Sequence, residues 1–216
     1  MAILKTLTLV AAAVIASAAL PNVDAHGRLA LPAPTFIASA KSKPNYWAYG
    51  VDNTKNPPRA TAATFAANYK KNGFKSLRAF IMDNQTPGKY DGKPSGGTPE
   101  CGFTDPNGTP QPLPDKLGWP GPTFQHEGPC EAWCDDVLVM PFTASCKSYE
   151  GGAKAQMPYD KAKCAGKKML HFYWLATFVS PFQAYTNCVP IKSGAARSLD
   201  GERSLEATNT TMSTTA

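Results

Sequence analysis

Met169-Leu170-His171-Phe172-Tyr173-Trp174-Leu175-Ala176-Thr177, then Val179-Ser180-Pro181, then Phe182-Gln183-Ala184-Tyr185-Thr186-Asn187-Cys188-Val189-Pro190-Ile191, is the stretch that decides the fold. The first nine residues are aromatic and aliphatic, the composition of a half-buried strand. Val179-Ser180-Pro181 reads as a turn, and the run from Phe182 to Ile191 reads as a second strand. Upstream, Val137, Val139 and Phe142 mark another strand, and a polar loop with Gly151-Gly152 lies between Cys146 and Cys164. Short strands joined by long Pro- and Gly-rich connections predict a mainly β fold. The expected architecture is an immunoglobulin/fibronectin-like antiparallel β-sandwich with long loops and a short helix.

Moving outward, Gln85 to Trp119 is heavy in Gly and Pro and predicts a long loop region pinned by Cys101. Leu77 to Met82 is a short apolar run that fits strand or helix equally. Ala60 to Asn72 predicts the helix: it is Ala-rich, Phe65 and Tyr69 are four apart, and Gly73 follows as a stop. Gly27 to Pro58 reads as irregular chain. Tyr46, Trp47 and Tyr49 within it suit either sugar stacking or core filling under a loop. Residues 1–25 read as an export signal: Lys5 is the positive start, Leu7 to Leu20 the apolar run, and Val23 and Ala25 the small residues before a cut. The predicted domain is 26–192. After Lys192 the chain turns to Ser, Thr, Ala and Glu without periodicity, so 193–216 is predicted to be a disordered Ser/Thr-rich tail. Sequons occur at Asn84, Asn107 and Asn209, the first two followed by Pro.

All six cysteines lie beyond the signal, and an even number in an exported chain predicts three disulfides. An oxidising compartment disfavours the alternative of a zinc site at Cys130 and Cys134. The expected pairs are Cys130–Cys134, Cys146–Cys164 and Cys101–Cys188. The chain carries 22 Lys+Arg against 16 Asp+Glu, a formal net charge of +6. Lys5 and Asp24 cancel, so loss of the signal leaves that charge unchanged. A basic exported protein suits anionic polysaccharide better than nucleic acid. Without a second long apolar run, no membrane anchor is expected.

Cleavage after Ala25 would make His26 the first residue. An N-terminal histidine offers a metal its α-amine and its ring Nδ1 as one chelate, and the amine loses its proton near neutral pH. His126 lies in Gln125-His126-Glu127-Gly128-Pro129-Cys130-Glu131-Ala132-Trp133-Cys134, read as a rigid loop held by Gly-Pro and two cysteines. Three nitrogens from two histidines suit copper with its tetragonal preference. In a strand, Gln183 and Tyr185 share a face, so a phenol can approach the metal while an amide stands beside it. Asp135 and Asp136 are adjacent, hence expected on opposite faces of a strand, which makes them a poor carboxylate pair for a hydrolase. His171 has no obvious part in this set and is read as structural.

These residues resemble the lytic polysaccharide monooxygenases. The likeness lies in the His after the signal, the His-Glu-Gly-Pro-Cys-Glu run from His126, and the closing Gln-x-Tyr-x-x-Cys from Gln183, and it spans His26 to about Lys192. The loops and cysteine pattern look most like the pectin-cleaving branch found in oomycetes. The resemblance implies copper held by His26 and His126 with Tyr185 axial, and Gln183 beside it. The implied reaction is copper-dependent oxidative cleavage of glycosidic bonds in plant cell-wall polysaccharide, above all pectic homogalacturonan. It needs an external electron donor and oxygen or hydrogen peroxide, and the protein would act outside the cell as a monomer. Two alternatives share the brace: a non-catalytic extracellular copper-binding protein, and a monooxygenase acting on cellulose or chitin. A sugar-binding wall protein would need no copper. A cluster of Arg59, Lys70, Lys71, Lys75 and Arg78 is the expected basic face for a polyanion.

Overall fold

The computed structural model describes residues 27–40, 49–51, 61–90, 93–94, 96–121 and 123–192. His26, Tyr46, Trp47, Arg59, the export signal and the tail from 193 lie outside the described residues, so those expectations stand where the sequence left them.

The strand-turn-strand stretch that opened the sequence reading forms the centre of the molecule. In chain order, the elements start with β1 (Tyr49–Val51), α1 (Ala62–Lys71), α2 (Leu77–Asn84) and β2 (Gln85–Pro87). Three short strands and then β6 and β7 follow: β3 (Lys89–Tyr90), β4 (Lys93–Pro94), β5 (Leu117–Gly118), β6 (Cys130–Cys134) and β7 (Val137–Thr143). The last three are β8 (Gln156–Met157), β9 (Met169–Ala176) and β10 (Phe182–Pro190). Six strands make an antiparallel sheet in the order β2-β1-β10-β9-β6-β7. β5 and β8 form a separate two-stranded ribbon, as do β3 and β4.

Side chains alternate between two cores, as the strand period requires. Leu170, Phe172, Trp174 and Ala176 of β9 face one core with Cys130, Ala132 and Cys134 of β6 and Tyr185 and Val189 of β10. Leu117 and Met157 of the β5–β8 ribbon, and Trp119 and Phe124 beside it, close that side. Tyr173 and Leu175 of β9 face the other core, where Phe65 of α1 and Leu77, Phe80 and Ile81 of α2 pack over Phe182 and Ala184. The mainly β fold of the sequence reading is therefore present, an antiparallel sheet layered between a small ribbon and two helices.

Both helices start on capping side chains. The Thr61 hydroxyl accepts from the Thr64 N–H at 3.2 Å, and the Ser76 hydroxyl accepts from the Ala79 N–H at 2.9 Å. Gly73, at φ 66°, takes the left-handed conformation that ends α1. The run from Leu77 that fitted either state is helical, which makes two helices rather than one. At its first turn Glu131 of β6, 1% exposed, accepts from the Leu77 N–H at 3.0 Å and the Arg78 N–H at 3.1 Å. The same carboxylate accepts from the Trp133 indole N–H. Helix amides that the short helix cannot pair internally are thus paired with the sheet.

Two readings of the cysteine-bearing segment are corrected. Cys130–Cys134 is strand β6, with no loop around it. Four residues of extended chain separate those cysteines by about 13 Å, too far for a disulfide, which needs Cα atoms about 4.4–6.8 Å apart. Both side chains point to the same core and pair across it, Cys130 with Cys146 and Cys134 with Cys164, instead of Cys130 with Cys134 and Cys146 with Cys164. The third expected pair is present: Cys101 joins Cys188 over a separation of 87 residues. Closing so long a loop contributes about 4–5 kcal/mol by chain entropy. Non-reducing peptide mapping is expected to recover these three pairs, and a peptide joining Cys130 to Cys134 would contradict the strand.

Asp135 and Asp136 are also relocated. They are the two-residue turn between β6 and β7, with Asp135 at φ 50°. The Asp135 carboxylate accepts from the Met169 N–H at 3.0 Å, while Asp136 Oδ1 lies 3.3 Å from Arg78 Nη1. Each carboxylate serves a structural contact.

Candidate functional site

His126 is mounted on the end of β9 by backbone bonds on its C-terminal side. The Glu127 carbonyl accepts from the Thr177 N–H at 3.0 Å and the Pro129 carbonyl from the Leu175 N–H at 3.0 Å. Between them, Gly128 lies so close to β9 that a Cβ would fall 1.8 Å from the Leu175 carbonyl oxygen. Only glycine permits that approach. The Ser145 hydroxyl donates to the Glu127 carboxylate at 2.7 Å, which ties the loop to the segment carrying Cys146.

The His126 ring is held in plane as well as in place. It stacks on Phe178 with centroids 3.6 Å apart and an interplanar angle of 13°. On β9, Trp174 lies nearly parallel to it, 6.5 Å away at 10°. His126 Nε2 is buried.

Tyr185 reaches the same place from β10. It is paired in register with Trp174, and their rings stack at 4.6 Å. Its hydroxyl donates to Gln183 Oε1 at 2.8 Å. The expectation that Gln183 and Tyr185 share a strand face therefore holds, and that face carries Trp174. The site also receives the start of the described chain. A Cβ on Gly27 would land 1.9 Å from Trp119 Cζ2, so the Gly27 backbone lies flat on that indole. Trp119 meets Trp174 edge-on at 5.1 Å. The Leu29 N–H donates to Asn187 Oδ1 at 2.7 Å, two residues beyond Tyr185 on β10.

The His126 loop and the Gln183–Tyr185 strand thus meet on Trp174, and the segment that begins at Gly27 lies on Trp119, the indole packed edge-on against Trp174. His26, the residue bonded to Gly27, is outside the described residues. Among the described residues no group of three His, Cys, Asp or Glu side chains is placed to hold a metal ion. The described donors at this point are one imidazole and one phenol, which with an N-terminal amine and second imidazole suit copper. The Trp174 indole N–H is fully buried and has no hydrogen-bond acceptor among the described residues. On donor chemistry the residues present fit the metal.

Sequence reasoning missed Trp174, Phe178 and Trp119. Trp174 was visible only as one aromatic among several in a strand. Phe178 gave no signal, because its stacking on His126 exists only after β9 turns.

His171 is on the opposite face of β9. It pairs in register with Cys188 on one side and Trp133 on the other, and its Nδ1 lies 3.3 Å from Cys188 Sγ. Burial pulls its pKa down from 6.5 to about 4, with Arg78 adding to the shift and Asp135, Asp136 and Glu100 opposing it. The neutral ring therefore contributes stability that is fully present above pH 6.5 and is lost as the pH falls toward 4. The loss is expected to reach about 3 kcal/mol. Denaturant unfolding from pH 7 to 4 should show it, and His171→Gln should flatten that slope. An unchanged slope would show that other groups set the acid limit.

The described members of the expected basic face lie on or between the two helices. The Arg78 guanidinium donates to the Asp135 carbonyl at 2.9 Å, approaches Asp136 and sits 5.4 Å over the Trp133 ring. That places it at the β6–β7 turn, the end of the sheet away from His126. Lys70 and Lys71 close α1, in the helix layer.

Compared with known protein families the chain matches no family model, and no curated protein matches it. No helix among the described residues is long and apolar enough to cross a membrane.

Proposed function

We propose that the chain is a secreted copper-dependent monooxygenase that oxidatively cleaves glycosidic bonds in plant cell-wall polysaccharide, with pectic homogalacturonan as the preferred substrate. The observation that supports this reading is that His126 and Tyr185 both pack on Trp174, while the segment leading back to His26 lies on Trp119, the indole beside it. Three disulfides suit a protein matured in an oxidising compartment.

His126, Tyr185 and the N-terminal His26 would hold the metal. Bound there, copper supplies the one-electron chemistry that oxidation of a sugar carbon requires, drawing on an external reductant and oxygen or hydrogen peroxide. Phe178 fixes the plane of the imidazole, so the ring nitrogen keeps one direction. Gln183 accepts the phenolic hydrogen bond and so keeps the Tyr185 lone pairs oriented. Trp174 and Trp119 fill the space behind these groups and exclude water from that side.

The test is metal-loaded protein with a reductant on de-esterified galacturonan, methyl-esterified galacturonan, cellulose and chitin, across a salt series, with products read by mass spectrometry. Oxidised oligogalacturonides that decline as salt rises are expected, because exposed charges are screened over about 8 Å at physiological ionic strength. Oxidised products from cellulose alone would end the pectin reading, and no oxidised product from any substrate would end the enzyme reading.

A further inference from the structure

On the outer face of the β5–β8 ribbon lies a cleft of ≈ 260 Å³, lined by Leu31, Asp115, Lys116, Gly118, Lys154 and Gln156. We infer that this cleft is a second binding site, outside the His126–Tyr185 centre, for a carboxylate-bearing polysaccharide chain. The inference rests on the polysaccharide reading above and adds to it where the chain is held.

The ribbon's alternation creates the cleft. Leu117, Trp119, Ala155 and Met157 point inward and are buried. Gly118 pairs in register with Gln156, so Lys116, Gly118, Gln156 and Lys154 belong to the outward set. Gly118 leaves the middle of that face without a side chain, and Leu31, 46% exposed, borders the gap through its bridge to Gly118. A Cβ at position 118 would stand 3.1 Å from Leu31 Cβ and begin to close it. An apolar side chain beside bare backbone, flanked by an amide, suits the mixed apolar and hydroxylated surface of a sugar ring.

Charge decides the class of sugar. Asp115 is engaged by Lys161 at 2.9 Å, and that bond lowers its pKa. Lys116 and Lys154 have no ion-pair partner among the described residues, so the cleft carries two uncompensated positive charges. Lys116 directly precedes β5 and Lys154 lies in the turn before β8, so the two charges border the cleft from different strands of the ribbon. A chain that repeats carboxylates along its length can meet both.

The cleft is also in reach of the candidate centre. Gly27, on Trp119, and Leu31, at the cleft, are four residues apart, a span of at most about 14 Å.

The test uses metal-free full-length protein exported by a eukaryotic host, titrated with an oligogalacturonide and with a neutral cello-oligosaccharide of equal length. Amide shifts at Gly118 and Gln156 are read by NMR. Affinity is compared between the native protein, a Lys116→Gln/Lys154→Gln variant and a control of equal charge change just before β9, Lys167→Gln/Lys168→Gln. Shifts at Gly118 and Gln156 with the uronide alone, and roughly tenfold weaker binding only in the cleft variant, are expected. Equal weakening in the control, equal binding of the neutral sugar, or shifts that bypass the ribbon would overturn the inference. Because no copper is present, binding here can survive even if no oxidised product is ever found. Likewise, oxidised products from a protein whose cleft variant binds normally would remove this site and leave the centre standing.

Discussion

Alanine in place of His126 is expected to abolish oxidative cleavage and to weaken copper binding by more than the roughly 10–100-fold that follows loss of an outer hydrogen-bond partner. Fold stability should fall far less. His126 is half-buried in a loop whose backbone bonds come from Glu127, Gly128 and Pro129, and these do not need the imidazole. Thermal unfolding and copper titration of the same variant separate the two effects. Phe178→Ala supplies a graded comparison: the imidazole remains, its stacking partner is removed, and a smaller loss of affinity with an altered copper spectrum should result. Native copper affinity in the His126 variant would place the metal elsewhere.

The largest effect on stability is expected from Glu131→Ala. Glu131 belongs to the run that begins at His126, but the sequence reading gave it no role. In the structure it faces the other core, where it accepts from Leu77, Arg78 and Trp133. Its removal strands three donors, two of them at the start of α2. With each buried unsatisfied group costing about 1–3 kcal/mol, the variant should lose about 3–5 kcal/mol. For a domain of this size that lowers Tm by about 10 °C or more. Glu131→Gln keeps one acceptor oxygen and turns an amide N–H₂ toward donors, so it should fall between. Wild-type stability combined with loss of activity would instead make Glu131 part of the chemistry.

The parts of the fold legible in the sequence were those set by local pattern. β9 and β10 follow from aromatic and branched residues around a Pro turn. α1 follows from an Ala-rich run ended by Gly73. The shared face of Gln183 and Tyr185 follows from strand periodicity, and the pairing of Cys101 with Cys188 agreed. What escaped was set by distant partners. Cys130 to Cys134 contains a charge and two cysteines, so it read as a stapled loop. Its strand character comes from pairing on both sides, with β7 and β9. The state of Leu77 to Met82 was undecided because the carboxylate that caps it lies 54 residues away. Within the basic cluster, the engagement of Arg78 by Asp135, Asp136 and Trp133 was not visible in sequence, because those partners lie more than 50 residues away.

The Trp174 junction has the same logic. Its three segments are far apart in sequence, and none identifies the others. Gly27 is the informative residue. A glycine after a histidine looks incidental in sequence, yet any side chain there would enter the Trp119 ring. The close seat of that backbone against the aromatic cluster is what makes His26 the right residue to test.

The most direct measurement is a copper titration of two forms of the protein, one beginning at His26 and one with a single additional residue ahead of it. The fold, disulfides, His126 and Tyr185 are common to both, and only the free α-amine of His26 differs. Tight copper binding is expected in the form that begins at His26, with affinity orders of magnitude lower and a changed electron paramagnetic resonance spectrum in the extended form. Equal affinity and identical spectra in the two forms would contradict a metal centre built on His26.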